Sequence, residues 1–202
     1  MTKASVRLSE REMKRRSNEG RRDLTGWWLL GGAAIISIIL IALTLRPAAS
    51  NVTLIDGVVE YKNLARGHSS SPQRYQQSPP VGGIHDPVWQ NCGIYDTPVR
   101  NENALHSMEH GAVWITYQTD LAPSAVEHLR SLVRGHAAVM LSPYPDLTKP
   151  VVANAWGLQL PLDDPNDPRV QLFITRYENG PQTPEPGAPC GGSGSLGAPI
   201  EK

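Results

Sequence analysis

The sequence predicts an α+β fold, in which an N-terminal transmembrane helix is followed by a small extracytoplasmic sheet with helices packed on one face. Three observations favour it. The 202 residues include 18 glycines and 18 prolines, which excludes a helix bundle. Short β-branched runs alternate with amphipathic ones, and one long segment carries no charge. Basic and acidic residues number 19 each, so the chain offers no basic field to nucleic acid, and we expect no nucleic-acid partner.

The uncharged segment lies near the N-terminus. Residues 1–24 form a basic tail, and residues 25–45 are free of charge and contain a Trp-Trp pair near their start. As a helix, this run would span roughly 31 Å, which matches a hydrocarbon core of about 30 Å. A cleaved signal peptide is the alternative, although its basic and apolar regions are normally shorter. We therefore expect a single-pass anchor in the lipid bilayer of the cell (plasma) membrane, with the N-terminus cytoplasmic and the C-terminal domain outside.

The outer part divides into an α+β domain, residues 46–178, and a Gly/Pro-rich tail, residues 179–202. An apolar stretch after residue 51 predicts an edge strand or hairpin, and the pattern of residues 170–177 fits either a helix or a strand. The remaining expected elements are a buried strand, a helix that begins with proline, and two further core strands, at Ala112–Tyr117, Pro123–Arg134, Ala137–Leu141 and Val151–Trp156.

The two cysteines, Cys92 and Cys190, are predicted to form a disulfide, because an oxidising compartment favours pairing of lone thiols. Such a bridge would pin the tail, which is otherwise expected to be disordered. The alternative is that Cys92 is a metal ligand, which the nearby histidines favour.

Four of the six histidines fall between residues 68 and 110: His68, His85, His106 and His110. In the run His-Ser-Met-Glu-His-Gly, a helical backbone would place His106 and His110 on one side, as a two-histidine metal site requires. Imidazole suits zinc or copper, and sulfur from Met108 or Cys92 would favour copper. The alternatives are a structural hydrogen-bonding role and an acid–base pair. The H-x-x-E-H string also matches an inverted zinc-peptidase motif, but Gly111 would cut the helix short.

The runs SPPVGGIHD, CGIYDTPV, LHSMEHGAVWITY and VVANAWG resemble a family of uncharacterised single-pass bacterial membrane proteins that is classed as a domain of unknown function. The resemblance covers about residues 58–178 and brings no established activity. It implies a set of recurrent polar positions: His68, Tyr75, His85, Tyr95, His106, Glu109, His110 and Trp156. Met108 stands where the family usually has Leu, which weakens the argument for copper in particular.

These observations lead to a hypothesis in which His85, His106 and His110 bind copper or zinc, with Glu109 as the fourth ligand or as a group that orients the others. Further candidates for the site are His68, Tyr75, Tyr95 and Met108. A different hypothesis is a non-catalytic accessory subunit of a larger membrane complex, which docks through the small residues 31–34 of the anchor. A metal-dependent hydrolase is less expected, and no catalytic residue is assigned.

Overall fold

Six short strands form one mixed β-sheet in the computed structural model, which describes Met13 and residues 55–202 of the chain. Across the sheet the strand order is β1-β6-β5-β3-β4-β2, and β4 runs parallel to β2 and β3 while the other neighbours are antiparallel. The strands are β1 Val59–Glu60, β2 Gly93–Ile94, β3 Val113–Gln118, β4 Val139–Tyr144, β5 Val151–Ala155 and β6 Leu158–Leu162. In this part of the chain the longer helices are α1 Asn101–Glu109, α2 Pro123–Val133 and α3 Arg169–Tyr177. The predicted α+β class is therefore confirmed.

The centre of the sheet consists of β3, β4 and β5, where the sequence predicts strands. Residues 113–117 and 151–155 are all buried, which explains why both segments are mostly apolar rather than alternating. Helix α2 connects β3 to its parallel neighbour β4, because parallel strands need a crossover connection. Pro123 lies at the start of α2. Backbone N–H groups in the first turn of a helix have no partner within the helix, so the missing N–H of proline costs no hydrogen bond there.

Helices cover both faces of the sheet, so the expectation of helices on one face is wrong. One apolar cluster joins Val113 to side chains of α2 and α3, and a second joins Trp114 to Leu105 and Met108 of α1. Successive side chains of β3 point to opposite faces, so the two clusters lie on opposite sides of the sheet. A strand that is buried on both faces needs cover on both, and α1 supplies the second layer.

Two strands, β2 and β6, lie in segments whose local pattern predicts no strand. Strand β6 contains Pro161. Only Leu158 and Gln159 of β6 pair with β1, so β6 is an edge strand at Pro161, and an edge strand tolerates proline. Strand β2 has only two residues and pairs with β4. The segment whose pattern fitted either a helix or a strand is the helix α3.

The C-terminal segment, residues 179–202, folds back along the domain. Cys92 and Cys190 form a disulfide that links positions 98 residues apart, as predicted. Backbone hydrogen bonds also attach this segment to β2 and to the residue before it. Cys92 N donates to the Cys190 carbonyl at 2.8 Å, and Ile94 N donates to the Glu201 carbonyl at 2.9 Å. Cys92 is therefore not available as a metal ligand.

The predicted transmembrane helix, residues 25–45, lies outside the described residues, as does the basic tail apart from Met13. Among the residues that the structure does describe, no helix has the length and apolar character needed to cross a membrane.

Candidate metal centre

Helix α1 is buried along almost its whole length, although it is rich in polar residues. Its apolar side packs on the sheet, as described above. Its polar side faces the loop of residues 85–90, and three side chains bond to backbone carbonyls of that loop. These bonds run from Asn103 Nδ2 to Val88, from His106 Nδ1 to Asp86 and from Ser107 Oγ to Gln90. The helix thereby fixes the backbone that follows His85.

Four side chains from three segments of the chain converge at the polar side of α1. His106 and Glu109 belong to the helix, whereas His85 precedes it and His68 lies further towards the N-terminus. Each offers one ligand atom, and all four ligand atoms lie within 4.8 Å of one another. We call these four residues the His3Glu cluster. The cluster has the size and the chemistry of a site that can hold one metal ion.

A short backbone pairing brings His68 to the cluster. Ser69 N donates to the His85 carbonyl at 2.7 Å, and His85 N donates to the Gly67 carbonyl at 3.1 Å. This parallel bridge places the His68 and His85 rings with their centroids 4.8 Å apart. The side chain of His68 is 43% exposed, whereas that of His85 is completely buried, so solvent reaches the cluster on the His68 side.

Backbone carbonyls determine which ring nitrogen of two histidines is free. The Nδ1 atom of His85 lies 2.8 Å from the Gly83 carbonyl, and Nδ1 of His106 lies 2.7 Å from the Asp86 carbonyl. A carbonyl oxygen only accepts, so each Nδ1 carries a proton and donates it. Each neutral ring then keeps a bare lone pair on Nε2. This is the usual arrangement of metal-binding histidines, whose second nitrogen is held by a carbonyl or carboxylate.

The electrostatic environment keeps His106 neutral. Burial lowers the pKa of His106 to about 4, the hydrogen bond to Asp86 opposes this change, and the neighbouring imidazoles of His110, His85 and His68 add to it. At neutral pH the Nε2 atom of His106 is therefore unprotonated, which is the form that binds metals.

The remaining predicted residues lie at different places. His110 is the C-cap residue of α1 and meets the His106 ring edge-on with ring centroids 4.6 Å apart, but it is not a member of the His3Glu cluster. Tyr75 donates its hydroxyl to the Ile84 carbonyl, and Tyr95 donates to the Asn91 carbonyl. Met108 is fully buried in the apolar cluster under the sheet. Of the four residues first expected to bind metal, the structure brings together His85, His106 and Glu109, and it adds His68.

Two tryptophans lie next to the histidines, and the local sequence pattern of neither one predicts a site residue. Trp89 packs against His106 and His110, with centroid distances of 5.7 and 5.2 Å. Trp156, which the family resemblance includes, meets His85 edge-on at 5.7 Å. Both are isolated aromatic residues in their local sequence, so only the fold places them beside the imidazoles. They pack against the imidazole rings of His85, His106 and His110.

The donor set consists of three imidazole nitrogens and one carboxylate oxygen. It contains no sulfur, because Cys92 and Cys190 are bonded to each other and Met108 faces the core. Nitrogen and oxygen donors suit Zn²⁺ and Cu²⁺, whereas Cu⁺ is selected by thiolate and thioether ligands.

Comparison with known proteins yields one family. No curated protein and no solved structure matches the chain. The family described as "Protein of unknown function (DUF3105)" matches residues 68–192, a range that contains all four residues of the cluster and both cysteines. That match is consistent with the resemblance to an uncharacterised family. The chain belongs to the DUF3105 family of proteins of unknown function.

Proposed function

We propose that this protein binds one transition-metal ion, Zn²⁺ or Cu²⁺, through the His3Glu cluster, and that it does so outside the cell membrane to which its N-terminal segment anchors it. Its role is then to hold or hand over the metal at the cell surface. The proposal concerns binding and not catalysis.

One observation carries the proposal. The Nε2 atom of His85 lies 3.0 Å from Oε2 of Glu109, and both atoms are buried. Because Nδ1 of His85 already donates to Gly83, the neutral ring points a lone pair at a carboxylate oxygen. Two lone pairs at this distance repel each other unless a cation lies between them. A proton fills that role in the metal-free protein, and a metal ion that is also bound by His68 and His106 would replace it.

The arrangement favours binding over hydrolysis. Four protein ligands fill a tetrahedral shell, whereas a catalytic zinc site keeps one position open for water.

Two observations support the location. The uncharged run of residues 25–45 has the length of a membrane-spanning helix. The disulfide between Cys92 and Cys190 belongs to an oxidising compartment, which lies outside the cytoplasm. The short basic segment before the run would then stay in the cytoplasm.

Element analysis of the purified protein tests the proposal. The full-length chain is purified in mild detergent without a polyhistidine tag, and zinc and copper are measured per chain. We expect about one ion per chain in the wild type. His85→Asn and His106→Asn should lose it, because asparagine can still donate to the carbonyl that Nδ1 contacts but has no Nε2.

His128 provides the matched control, since it lies on α2, away from the cluster. The variant His128→Asn should retain the ion. A wild-type chain without metal after exposure to both Zn²⁺ and Cu²⁺, or an equal loss in all three variants, would contradict the proposal.

A further inference from the structure

His110 is prepared as a ligand, although it lies outside the His3Glu cluster. Its Nδ1 atom is 2.8 Å from the Pro189 carbonyl, which only accepts, so Nδ1 carries the proton and Nε2 has a bare lone pair in the neutral ring. The side chain is only 6% exposed. Backbone carbonyls hold Nδ1 of His85 and of His106 in the same way, whereas the carbonyl that holds His110 belongs to the C-terminal segment.

A carboxylate faces that nitrogen. Oε2 of Glu185 lies 3.8 Å from Nε2 of His110, and the Glu185 side chain is 55% exposed. The Glu185 backbone N–H donates to the carbonyl of Glu109 at 3.1 Å, so the end of α1 fixes the position of this residue. The disulfide at Cys190 holds the following part of the segment, next to Pro189. The fold therefore holds the His110 ring and the backbone of Glu185, and the exposed Glu185 carboxylate can turn towards Nε2 of His110.

From this geometry we infer that His110 and Glu185 form a second, weaker site for Zn²⁺ or Cu²⁺. Donor atoms that each lie about 2.0–2.1 Å from a tetrahedral ion are roughly 3.3–3.4 Å apart, so the exposed Glu185 carboxylate has to move only about 0.5 Å from its 3.8 Å separation for one ion to bind both. The choice of ion rests on the proposed function, because the two sites have the same kinds of donor and lie side by side.

The second site is weaker for two physical reasons. Only two protein ligands bind the ion there, and water completes the shell on the exposed side of Glu185. A metal in the His3Glu cluster also repels a second dication nearby, since the rings of His106 and His110 are in contact. The second ion therefore exchanges readily with solvent, next to the site that retains the first.

Zn²⁺ titration of the untagged full-length chain against a chromophoric chelator tests this inference. We expect two equivalents in the wild type, with the second at least about tenfold weaker than the first. Glu185→Gln and His110→Asn should remove only the second equivalent. Glu60→Gln, which changes another exposed carboxylate, should keep both equivalents.

The variants distinguish failure of this inference from failure of the proposed function. If the wild type binds a single equivalent that His85→Asn abolishes and Glu185→Gln leaves unchanged, the His3Glu site stands and the second site is refuted, with His110 and Glu185 forming an ion pair only. If His85→Asn keeps the tight equivalent, the proposed function fails. Loss of the second equivalent in Glu60→Gln as well would also refute the assignment to Glu185.

Discussion

The Nε2 atom of His85 lies 3.0 Å from Oε2 of Glu109, while the other nitrogen of the same ring faces the Gly83 carbonyl. A neutral ring and an ionised carboxylate cannot satisfy both contacts, so either a shared proton or a metal ion must lie between Nε2 and Oε2. His106 and His68 lie around the same point.

The metal ion should stabilise the folded chain through His85. At Zn²⁺ concentrations about 100 times the Kd, mass action adds about 2.7 kcal/mol, which raises the Tm by roughly 5–10 °C for a chain of this size. Differential scanning calorimetry with and without Zn²⁺ measures the effect. His85→Asn should lose most of the increase and keep only the part that the weaker His110–Glu185 site supplies, whereas His128→Asn should show the full increase. An unchanged increase in His85→Asn would contradict the assignment.

Substitution of Met108 should leave metal binding intact. The side chain is fully buried in the apolar cluster with Leu105, Trp114 and Met140, so its sulfur does not reach the His3Glu cluster. Met108→Leu nearly conserves volume and should cost less than about 1.5 kcal/mol in urea unfolding. Zinc and Cu²⁺ affinities should equal those of the wild type. A weaker affinity for either ion would show that the methionine takes part.

The metal-free protein should lose stability in mild acid because of His106. The pKa of His106 is about 4 in the folded chain and 6.5 in the unfolded chain. Between pH 4 and pH 6.5 the unfolded chain therefore binds a proton that the folded chain does not. The contribution is intact above pH 6.5 and is lost as the pH falls toward 4. Urea unfolding with a chelator present measures it. In His106→Asn the decrease between these values should be smaller, and an equal decrease would contradict the argument.

The disulfide should contribute strongly to stability. Cys92 and Cys190 close a loop across 98 positions, and removal of such a link costs about 2–5 kcal/mol. The double variant with serine at both positions should unfold at lower urea concentration by that amount. The wild type under a strong reductant serves as its control and should show the same loss. A change below about 1 kcal/mol would mean that the backbone bonds at Cys190 and Glu201 suffice.

Local patterns predicted the central elements of the fold and the edge strand β1, which lies in the stretch after residue 51, but they did not predict β2 or β6. The apolar run at β3 and the proline that starts α2 are signals within a few residues, and both elements are found there. Strand β6 contains Pro161, which is typical of loops, and is stabilised by pairing with β5. The layer on the second face could not be predicted, because α1 mixes buried polar and apolar residues and its helical pattern is weak.

The site shows the same division. The i, i+4 spacing correctly places His106 and His110 side by side, but the helix ends at Glu109, and the His110 side chain bonds to the C-terminal segment instead. His68 reaches the cluster through the pairing of its backbone with that of His85, 17 residues away. Contacts of this kind depend on tertiary structure, so composition and spacing indicated the histidines without indicating which of them meet.

X-ray absorption spectroscopy at the zinc edge of the full-length chain, loaded with one equivalent of Zn²⁺, tests the central claim most directly. The structure predicts four nitrogen or oxygen neighbours at about 2.0–2.1 Å, with the outer-shell scattering of about three imidazoles. In His85→Asn the outer-shell scattering of three imidazoles should be lost, because the remaining His110–Glu185 site offers only one imidazole. A sulfur neighbour at about 2.3 Å, or a spectrum without imidazole scattering, would contradict the His3Glu site.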